Sequence, residues 1–325
     1  MKKIFFTGIR PTGKIHIGHY LGLIKWLEKF QLEGDVILMI ADLHAQSTPF
    51  SPNLLKKNTL TLLRSLIALG IDPKKTIIFQ QSKVPAHLYL YWILGTLAPL
   101  GDLMRMHQFK EFSQRYEKQG IYSSILMYPV LQAADVLLYQ PDIVPVGKDQ
   151  LQHLELTREL ARRFNKRFGN IFKIPDVFVY PETEKIMSLD NPQKKMSKSL
   201  PEGALFIFDS LKNIKLKIQK AVTDSETVIR YDPERKPGIS NLMTIYKHLT
   251  QKTYSEIENE FSGLGYALFK ERLIETFWNY FKKAREKYNQ LKDEELIKIL
   301  EKGNKIANKL SQPTLDKVLK LTGLK

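Results

Sequence analysis

The chain has 325 residues, which is the usual length of two domains, and 43% of them are apolar, which excludes a disordered chain. The complete lack of cysteine excludes disulfides, zinc–thiolate sites, iron–sulfur clusters and cysteine nucleophiles, and indicates a reducing, cytoplasmic compartment. The formal net charge of +16 indicates either a polyanionic partner or a lysine-rich solvated surface. This charge is spread over both halves, +9 in residues 1–205 and +7 in residues 206–325.

Strand and helix signals alternate in the first half of the chain. Short apolar runs predict strands at 3–7, 35–42 and 76–79, and helical patterns lie between them at about 19–32 and from 51 to 70. The second of these helices opens with Ser51-Pro52 and closes at Gly70. This order predicts an α/β fold, a Rossmann-like doubly wound parallel sheet, with its ligand site at the carboxyl ends of the strands.

The rest of the chain is mostly helical. The longest uncharged run, residues 84–101, contains two prolines and a histidine, so it predicts a loop and a buried helix, and no membrane partner is expected. After residue 205, helical patterns at 214–222, 241–249, 254–261, 267–291 and 294–309 predict a C-terminal all-α region. We expect domains at 1–205 and 206–295, with residues 296–325 as a helix packed back on the first.

The first motif with chemical meaning is the segment Pro11-Thr-Gly-Lys-Ile-His-Ile-Gly-His19. It follows the first strand and opens the first helix, and Gly18 allows a bulky ligand to approach the backbone. Because a helix amino terminus favours anions, phosphate is the expected ligand. Taken alone, two surface histidines at a helix start are an equally good interpretation.

The second motif is Lys195-Met-Ser-Lys-Ser199, in a loop between Asp190-Asn-Pro and Pro201-Glu-Gly. Two lysines three residues apart can contact different phosphates of one nucleotide. A bare lysine pair in a loop is more often simply solvated. Together, however, the His-x-Gly-His turn and the lysine loop that begins 176 residues after His19 resemble the signature pair of class I aminoacyl-tRNA synthetases.

Further segments narrow the resemblance to the bacterial-type tryptophanyl-tRNA synthetases. They are Gly147-Lys-Asp-Gln150 after an apolar run, a helix that aligns Tyr128, Gln132 and Asp135 on one face, and the segments 105–111, 221–226 and 229–242. The resemblance runs from residue 4 to about residue 266. It implies a homodimer that activates L-tryptophan with ATP and Mg²⁺ and loads it onto tRNA(Trp), using residues 206–295 to bind the anticodon.

The resemblance also implies the residues of the site. The expected ATP site consists of Arg10, Thr12, Gly18, His19, Gly147, Lys148, Asp149, Ile186, Lys195, Met196, Ser197, Lys198 and Ser199. In the expected tryptophan site, Asp135 accepts the indole N–H, and the surrounding residues are Phe6, Gly8, His44, Tyr128, Gln132, Val144, Val146 and Gln150. The expected catalytic groups are Lys195, Lys198, His16 and His19, and no protein metal ligand is expected.

Three positions depart from the family pattern. Arg10 stands where glutamine is frequent, and Gln132 stands where methionine is frequent. Phe112 stands where many relatives carry a lysine, and either Arg115 or Lys118 could substitute for it.

Two basic clusters have open interpretations. Arg158, Arg162, Arg163, Lys166 and Arg167 lie on one predicted helix, which favours a solvated or subunit-contact face over a tRNA face. Lys282, Lys283 and Arg285 form a candidate tRNA contact on the helix predicted at 267–291.

Three other functions remain open from the sequence. A tyrosyl-tRNA synthetase has the same fold, but the lysine loop, the Gln-Ala-Ala-Asp helix and the segment 221–242 favour tryptophan. The long helical half argues against a small nucleotidyltransferase. A catalytically inactive paralogue that binds RNA fits the charge but not the intact loop lysines.

Overall fold

The structure, a computed structural model, describes residues 2–47, 49–116, 120, 122–180, 185–198 and 200–325, and the side chains of residues 112 and 114–116 lie outside this description. Within these ranges, five strands form a single sheet: β1 (Lys3–Ile9), β2 (Gly34–Ile40), β3 (Thr76–Gln80), β4 (Ile143–Val146) and β5 (Asp176–Val179). β2 is almost wholly buried, as its unbroken apolar run requires of a strand that is covered on both faces.

The strands pair in the order β3-β2-β1-β4-β5, and every pair is parallel. β1 and β2 stay in register along their length, from Lys3 opposite Gly34 to Ile9 opposite Ile40. From β1 the chain first extends the sheet through β2 and β3, and then returns to the other side of β1 through β4. The predicted doubly wound parallel sheet is therefore confirmed, with its topological switch between β1 and β4.

Nine α-helices connect the strands within the described ranges. They are α1 (Ile17–His19), α2 (Lys25–Glu33), α3 (Asp42–Ala45), α4 (Pro52–Ala68), α5 (Ala86–Gly95), α6 (Leu100–Met104), α7 (His107–Tyr116), α8 (Ser123–Leu137) and α9 (Leu151–Phe168). A π-helical turn, Tyr20–Ile24, joins α1 to α2. α4 begins at the predicted proline, and Gly70 lies just beyond its end with a φ of 108°. No helix of the described chain is long and apolar enough to cross a bilayer.

The second half is helical, as predicted. Its described helices are α10 (Leu211–Lys220), α11 (Pro237–Thr250), α12 (Tyr254–Glu260), α13 (Gly265–Tyr280), α14 (Lys282–Gln290) and α15 (Asp293–Leu321). The prediction of one helix over 267–291 is wrong, because the helix is interrupted at Phe281, whose side chain is buried in the core. The terminal helix extends beyond the helical pattern at 294–309 and continues through Pro313.

The terminal helix lies against the β3 edge of the sheet. The Asn304 side chain accepts a hydrogen bond of 2.9 Å from the backbone N–H of Gln80. A Cβ atom at Gly303 would lie 1.8 Å from the carbonyl oxygen of Ile78, so only glycine permits this approach. One hydrophobic cluster joins Phe5 of β1 to Phe269 of α13, so the helical half shares its core with the sheet. The domain boundaries stay a prediction.

Candidate active site

The carboxyl ends of β1, β2, β3 and β4 lead into the segments that carry the predicted site. β1 leads into the turn with His16, β2 into α3 with His44, and β4 into Gly147. Because all strands are parallel, these segments meet at one edge of the sheet, beside the switch point between β1 and β4.

His16 and His19 lie against each other at the start of the first helical run, with ring centroids 3.7 Å apart. A segment distant along the chain holds this turn in place: the backbone N–H of Ile17 donates to the Leu205 carbonyl oxygen at 3.0 Å. A Cβ atom at Gly18 would lie 3.1 Å from the His16 ring, so a side chain there would crowd the turn. The Nδ1 atoms of both histidines are buried and have no hydrogen-bond partner among the residues that the structure describes. Unsatisfied buried nitrogens of this kind fit a polar ligand.

The lysine loop is a hairpin whose two sides hydrogen-bond to each other. Met196 donates its backbone N–H to Ile186 at 3.0 Å, and Met187 forms a β-bridge with Lys195. The side-chain amide of Asn241, in α11, donates to the Met187 carbonyl at 2.9 Å and accepts from its N–H at 2.8 Å. Asn241 is a residue that sequence analysis missed, and it connects the helical half directly to the loop.

The electrostatics of this edge favour a polyanion. Burial, together with the nearby charges of Lys198 and Lys195, lowers the pKa of His16 to about 3 and moves the pKa of His19 far below its ordinary value. Both imidazoles are therefore neutral at pH 7. Burial and the charge of Arg10 lower the pKa of Lys198 to about 8. These cations repel one another until an anion binds between them.

The Gly147 segment turns sharply after β4. A Cβ atom at Gly147 would lie 2.6 Å from Oδ1 of Asp149, and Gln150 donates to the other oxygen of Asp149 at 2.8 Å. Lys148 and Asp149 are exposed at the edge of the site. His153, one turn into α9, donates from Nδ1 to Gln150 Oε1 at 2.9 Å, and its Nε2 lies 3.1 Å from the Tyr128 hydroxyl. Sequence analysis did not identify His153.

Asp135 is almost fully enclosed, with 1% of its surface exposed. His44 Nε2 donates to it at 2.7 Å, His87 Nδ1 at 2.6 Å, and Gln81 Nε2 at 2.8 and 2.9 Å to its two oxygens. Burial opposes ionisation, but the histidine hydrogen bonds prevail and lower the pKa of Asp135 to about 2. The group is a carboxylate, which can only accept hydrogen bonds.

Gln81 and His87 are further residues that sequence analysis missed. Gln81 directly follows β3, and His87 is in the first turn of α5, so both positions follow the third strand as Asp42 and His44 follow the second. The one indication in the sequence is that both residues follow a predicted strand, because the carboxyl ends of parallel strands meet at the edge of the sheet where the ligand site is expected.

The remaining predicted residues surround this edge. Phe6, Val144 and Val146 are buried in β1 and β4, Gly8 and Arg10 are exposed at the end of β1, and Thr12 donates its backbone N–H to Arg10 at 2.9 Å. Tyr128 and Gln132 are partly buried on the same helix as Asp135, and the Tyr128 hydroxyl donates to Gln108. Ile186 and Met196 are buried, and Ser197 is partly buried. Ser199 and Lys118 lie outside the described residues, as do the side chains of Phe112 and Arg115.

The basic face of α9 is partly neutralised by acidic residues. Arg163 pairs with Glu159 at 2.8 Å and with Asp102 at 3.1 Å, and Arg162 lies 3.6 Å from Glu159. On α14, the Arg285 guanidinium stacks 3.6 Å from the Trp278 ring centroid and donates to the Trp278 carbonyl. Arg285 therefore contributes to packing, whereas Lys282 and Lys283 are exposed.

Comparison with known proteins agrees with this geometry. Residues 2–282 match the family model of tRNA synthetases class I (W and Y). The chain belongs to this family of class I tRNA synthetases, which confirms the resemblance drawn from the His-x-Gly-His turn and the lysine loop.

Within the family, several full-length relatives are tryptophan enzymes. The chain is 44% identical to the tryptophan–tRNA ligase of Caldanaerobacter subterraneus subsp. tengcongensis, over 100% of this chain and 99% of that protein. It is 43% identical to the Bacillus subtilis tryptophan–tRNA ligase, over 100% and 98%. The tryptophanyl-tRNA synthetase of Campylobacter jejuni, solved with ADP and tryptophan, superposes with a TM-score of 0.87 at 37% identity, over 99% of this chain and 100% of that one.

Proposed function

We propose that the chain is a tryptophan–tRNA ligase, which forms tryptophanyl-adenylate and pyrophosphate from L-tryptophan and ATP and then transfers the tryptophanyl group to tRNA(Trp). The observation that carries the proposal is that two different sites share one sheet edge. One is the turn of the neutral His16 and His19 together with the cationic Lys198 of the loop, and the other is the buried carboxylate of Asp135. The first suits a triphosphate and the second suits the N–H of an indole.

In the first step, a carboxylate oxygen of tryptophan attacks the α-phosphorus of ATP, and the bond between that phosphorus and the bridging oxygen breaks. The bonding electrons leave with pyrophosphate, so negative charge grows on the departing oxygens. Lys195 and Lys198 stabilise this charge, and the neutral His16 and His19 rings supply hydrogen bonds without a change of charge. The nucleophile is already ionised at neutral pH, so the step needs no general base.

Two further components belong to the proposal. ATP enters with Mg²⁺ bound through triphosphate oxygens and water, the ligands that this ion prefers. The 2′-hydroxyl of the terminal tRNA ribose, in the manner of class I enzymes, then attacks the carbonyl carbon of the mixed anhydride. The bond from that carbon to the phosphate oxygen breaks, AMP leaves, and the hydroxyl proton is released. Residues 206–295 hold the anticodon. We also propose a cytoplasmic location, in line with the lack of cysteine.

A homodimer is proposed from an apolar face on α5. Leu88, Tyr89 and Trp92 are exposed there beside Leu324, and Trp92 has 73% of its surface exposed. A cluster of exposed aromatic and aliphatic side chains fits a second copy of the chain. Sedimentation velocity of the wild type and of Trp92→Asp tests this: we expect a dimer and a shift toward monomer, and a monomeric wild type contradicts the proposal.

ATP–pyrophosphate exchange with tryptophan or tyrosine tests the activity. We expect exchange with tryptophan and little with tyrosine. Exchange with tyrosine alone indicates a tyrosine enzyme, and no exchange with intact tRNA binding indicates an inactive RNA-binding paralogue.

A variant of Asp135 tests the amino-acid site. Asp135→Ala removes the acceptor of the indole N–H, so tryptophan binding should weaken by about 1.5–3 kcal/mol while ATP binding stays nearly unchanged. Equilibrium binding of each substrate measures this. An equal loss of affinity for both substrates contradicts the assignment of Asp135.

A further inference from the structure

Behind Asp135 lies a fully buried histidine that the reaction itself does not use. His87 directs Nδ1 at Asp135 Oδ1 over 2.6 Å, and its Nε2 lies 3.0 Å from the Tyr139 hydroxyl. Tyr139 closes the last turn of the helix that carries Asp135. His87 and Tyr139 are both buried, so this chain of polar groups lies in the core behind Asp135.

A polar chain in a core is costly unless every group has a partner, and here each one does. Phe79 packs against the His87 ring with centroids 5.8 Å apart, so the ring has aromatic as well as polar contacts. These contacts fix the ring orientation. Because Asp135 is an acceptor, Nδ1 of His87 must carry a proton.

The three donors around Asp135 approach from different sides. His44 and Gln81 come from segments that follow β2 and β3, and His87 comes from the interior. An ionised carboxylate has about four lone-pair positions, and the three donor groups make four contacts with it, two at each oxygen. The Gln81 amide contacts both oxygens, so a ligand N–H takes the place of one of its two contacts, while the two histidines stay in position.

We propose that His87 is a positioning residue for amino-acid specificity: it holds the Asp135 carboxylate in the orientation and acceptor state that select an indole N–H. This rests on the proposed function. Without the Nδ1–H donor, Oδ1 of Asp135 keeps only its contact with Gln81, so this oxygen is held less firmly and takes up a proton more easily. A protonated carboxyl group no longer requires a donor from the substrate. His87 acts through Asp135 and is not a catalytic residue.

The test compares two substrates that differ only at the recognised group. They are L-tryptophan and β-(3-benzothienyl)-L-alanine, in which sulfur replaces the indole N–H. The readout is the ratio of kcat/KM for the two substrates in ATP–pyrophosphate exchange, together with the KM for ATP. A loss of general stability lowers both kcat/KM values but leaves their ratio unchanged.

Three variants of His87 separate a positioning role from a structural one. His87→Leu should lower the ratio by about 10- to 100-fold, mainly through the KM for tryptophan, with the KM for ATP unchanged. His87→Asn places an amide N–H near the position of Nδ1 and should keep the ratio within about threefold of the wild type. His87→Gln places its amide near the position of Nε2, so it should lower the ratio of the two kcat/KM values as much as His87→Leu does.

Each outcome decides the question. An unchanged ratio in His87→Leu overturns the proposal. If that variant does not fold, equal ratios for the asparagine and glutamine variants overturn it. A wild type that activates tryptophan and the benzothienyl analogue equally overturns the acceptor role of Asp135 and the role of His87 with it. A wild type that activates neither contradicts the proposed function itself.

Discussion

The lysine loop should impose a pH limit on adenylate formation. Burial and the charge of Arg10 lower the pKa of Lys198 to about 8, so above this pH the side chain loses the charge that the proposed mechanism uses to stabilise the leaving pyrophosphate. At saturating tryptophan, we expect kcat/KM for ATP to fall about tenfold per pH unit above pH 8, which is about 1.4 kcal/mol per unit. Pyrophosphate exchange between pH 6.5 and 10 without tRNA measures it.

Two variants identify the titrating group. In Lys198→Arg the side chain keeps its charge over this range, so the fall of kcat/KM above pH 8 should disappear even if the absolute rate is lower. Arg10→Gln removes a neighbouring positive charge and should move the fall to higher pH. Lys195→Arg, at an exposed position of the same loop, is the matched control and should leave the fall in place. An unchanged fall in both Lys198→Arg and Arg10→Gln refutes the reasoning.

The same group links stability to pH. The pKa of Lys198 is lower in the folded chain than its ordinary value of 10.5, so between about pH 8 and 10.5 the unfolded chain binds more protons. The free energy of unfolding contributed by this residue therefore rises with pH in that window. Urea unfolding of the wild type and of Lys198→Met at pH 7.5 and 9.5 measures it: the destabilising effect of Lys198 should shrink at pH 9.5.

Three further predictions concern the helical half and its contacts. Asn241→Ala leaves two backbone groups of the loop unpaired. It should slow single-turnover adenylate formation about tenfold, with the KM for tryptophan unchanged. A normal rate means that Asn241 does not position the loop. Gly303→Ala should lower the free energy of unfolding in urea by at least about 1–3 kcal/mol. Gly22→Ala, whose new Cβ has no atom within 4 Å, should leave it unchanged. Similar urea midpoints for both variants contradict the close approach of α15 to β3. Changing Lys282 and Lys283 together to glutamate should weaken tRNA binding and leave tryptophan activation unchanged. The slope of log affinity against log salt concentration should flatten by about one unit per lost contact. Normal tRNA charging at all salt concentrations means that these lysines are solvated surface.

The amino-acid sequence by itself determined the fold class and the family. The strands β1 to β3 could be predicted because each is a short apolar run that ends at a charged residue or at a turn, and a strand buried on both faces requires such a run. The His-x-Gly-His turn and the lysine loop could be recognised because each motif is contiguous. The chemistry of both motifs depends on residues close together in the chain.

Helix boundaries depended on contacts that no local pattern contains. The local helical pattern near the C-terminus runs only over 294–309, shortly before Pro313, and a proline removes a helical hydrogen bond. The helix nevertheless continues to Leu321, since it lies against β3 and packs Leu315 and Val318 into the core. Conversely, the predicted helix at 267–291 is interrupted at Phe281, where the buried ring packs edge-on against Tyr20.

The tertiary structure alone decided what surrounds the predicted site residues. Asp135 could be selected from its helical spacing, but Gln81 and His87 could not, because these residues lie 54 and 48 positions away along the chain. Asn241 contacts a loop residue 54 positions earlier. Hydrogen bonds between buried side chains form wherever the packing of strands and helices brings donors to acceptors, so their partners follow from the fold and not from neighbouring residues.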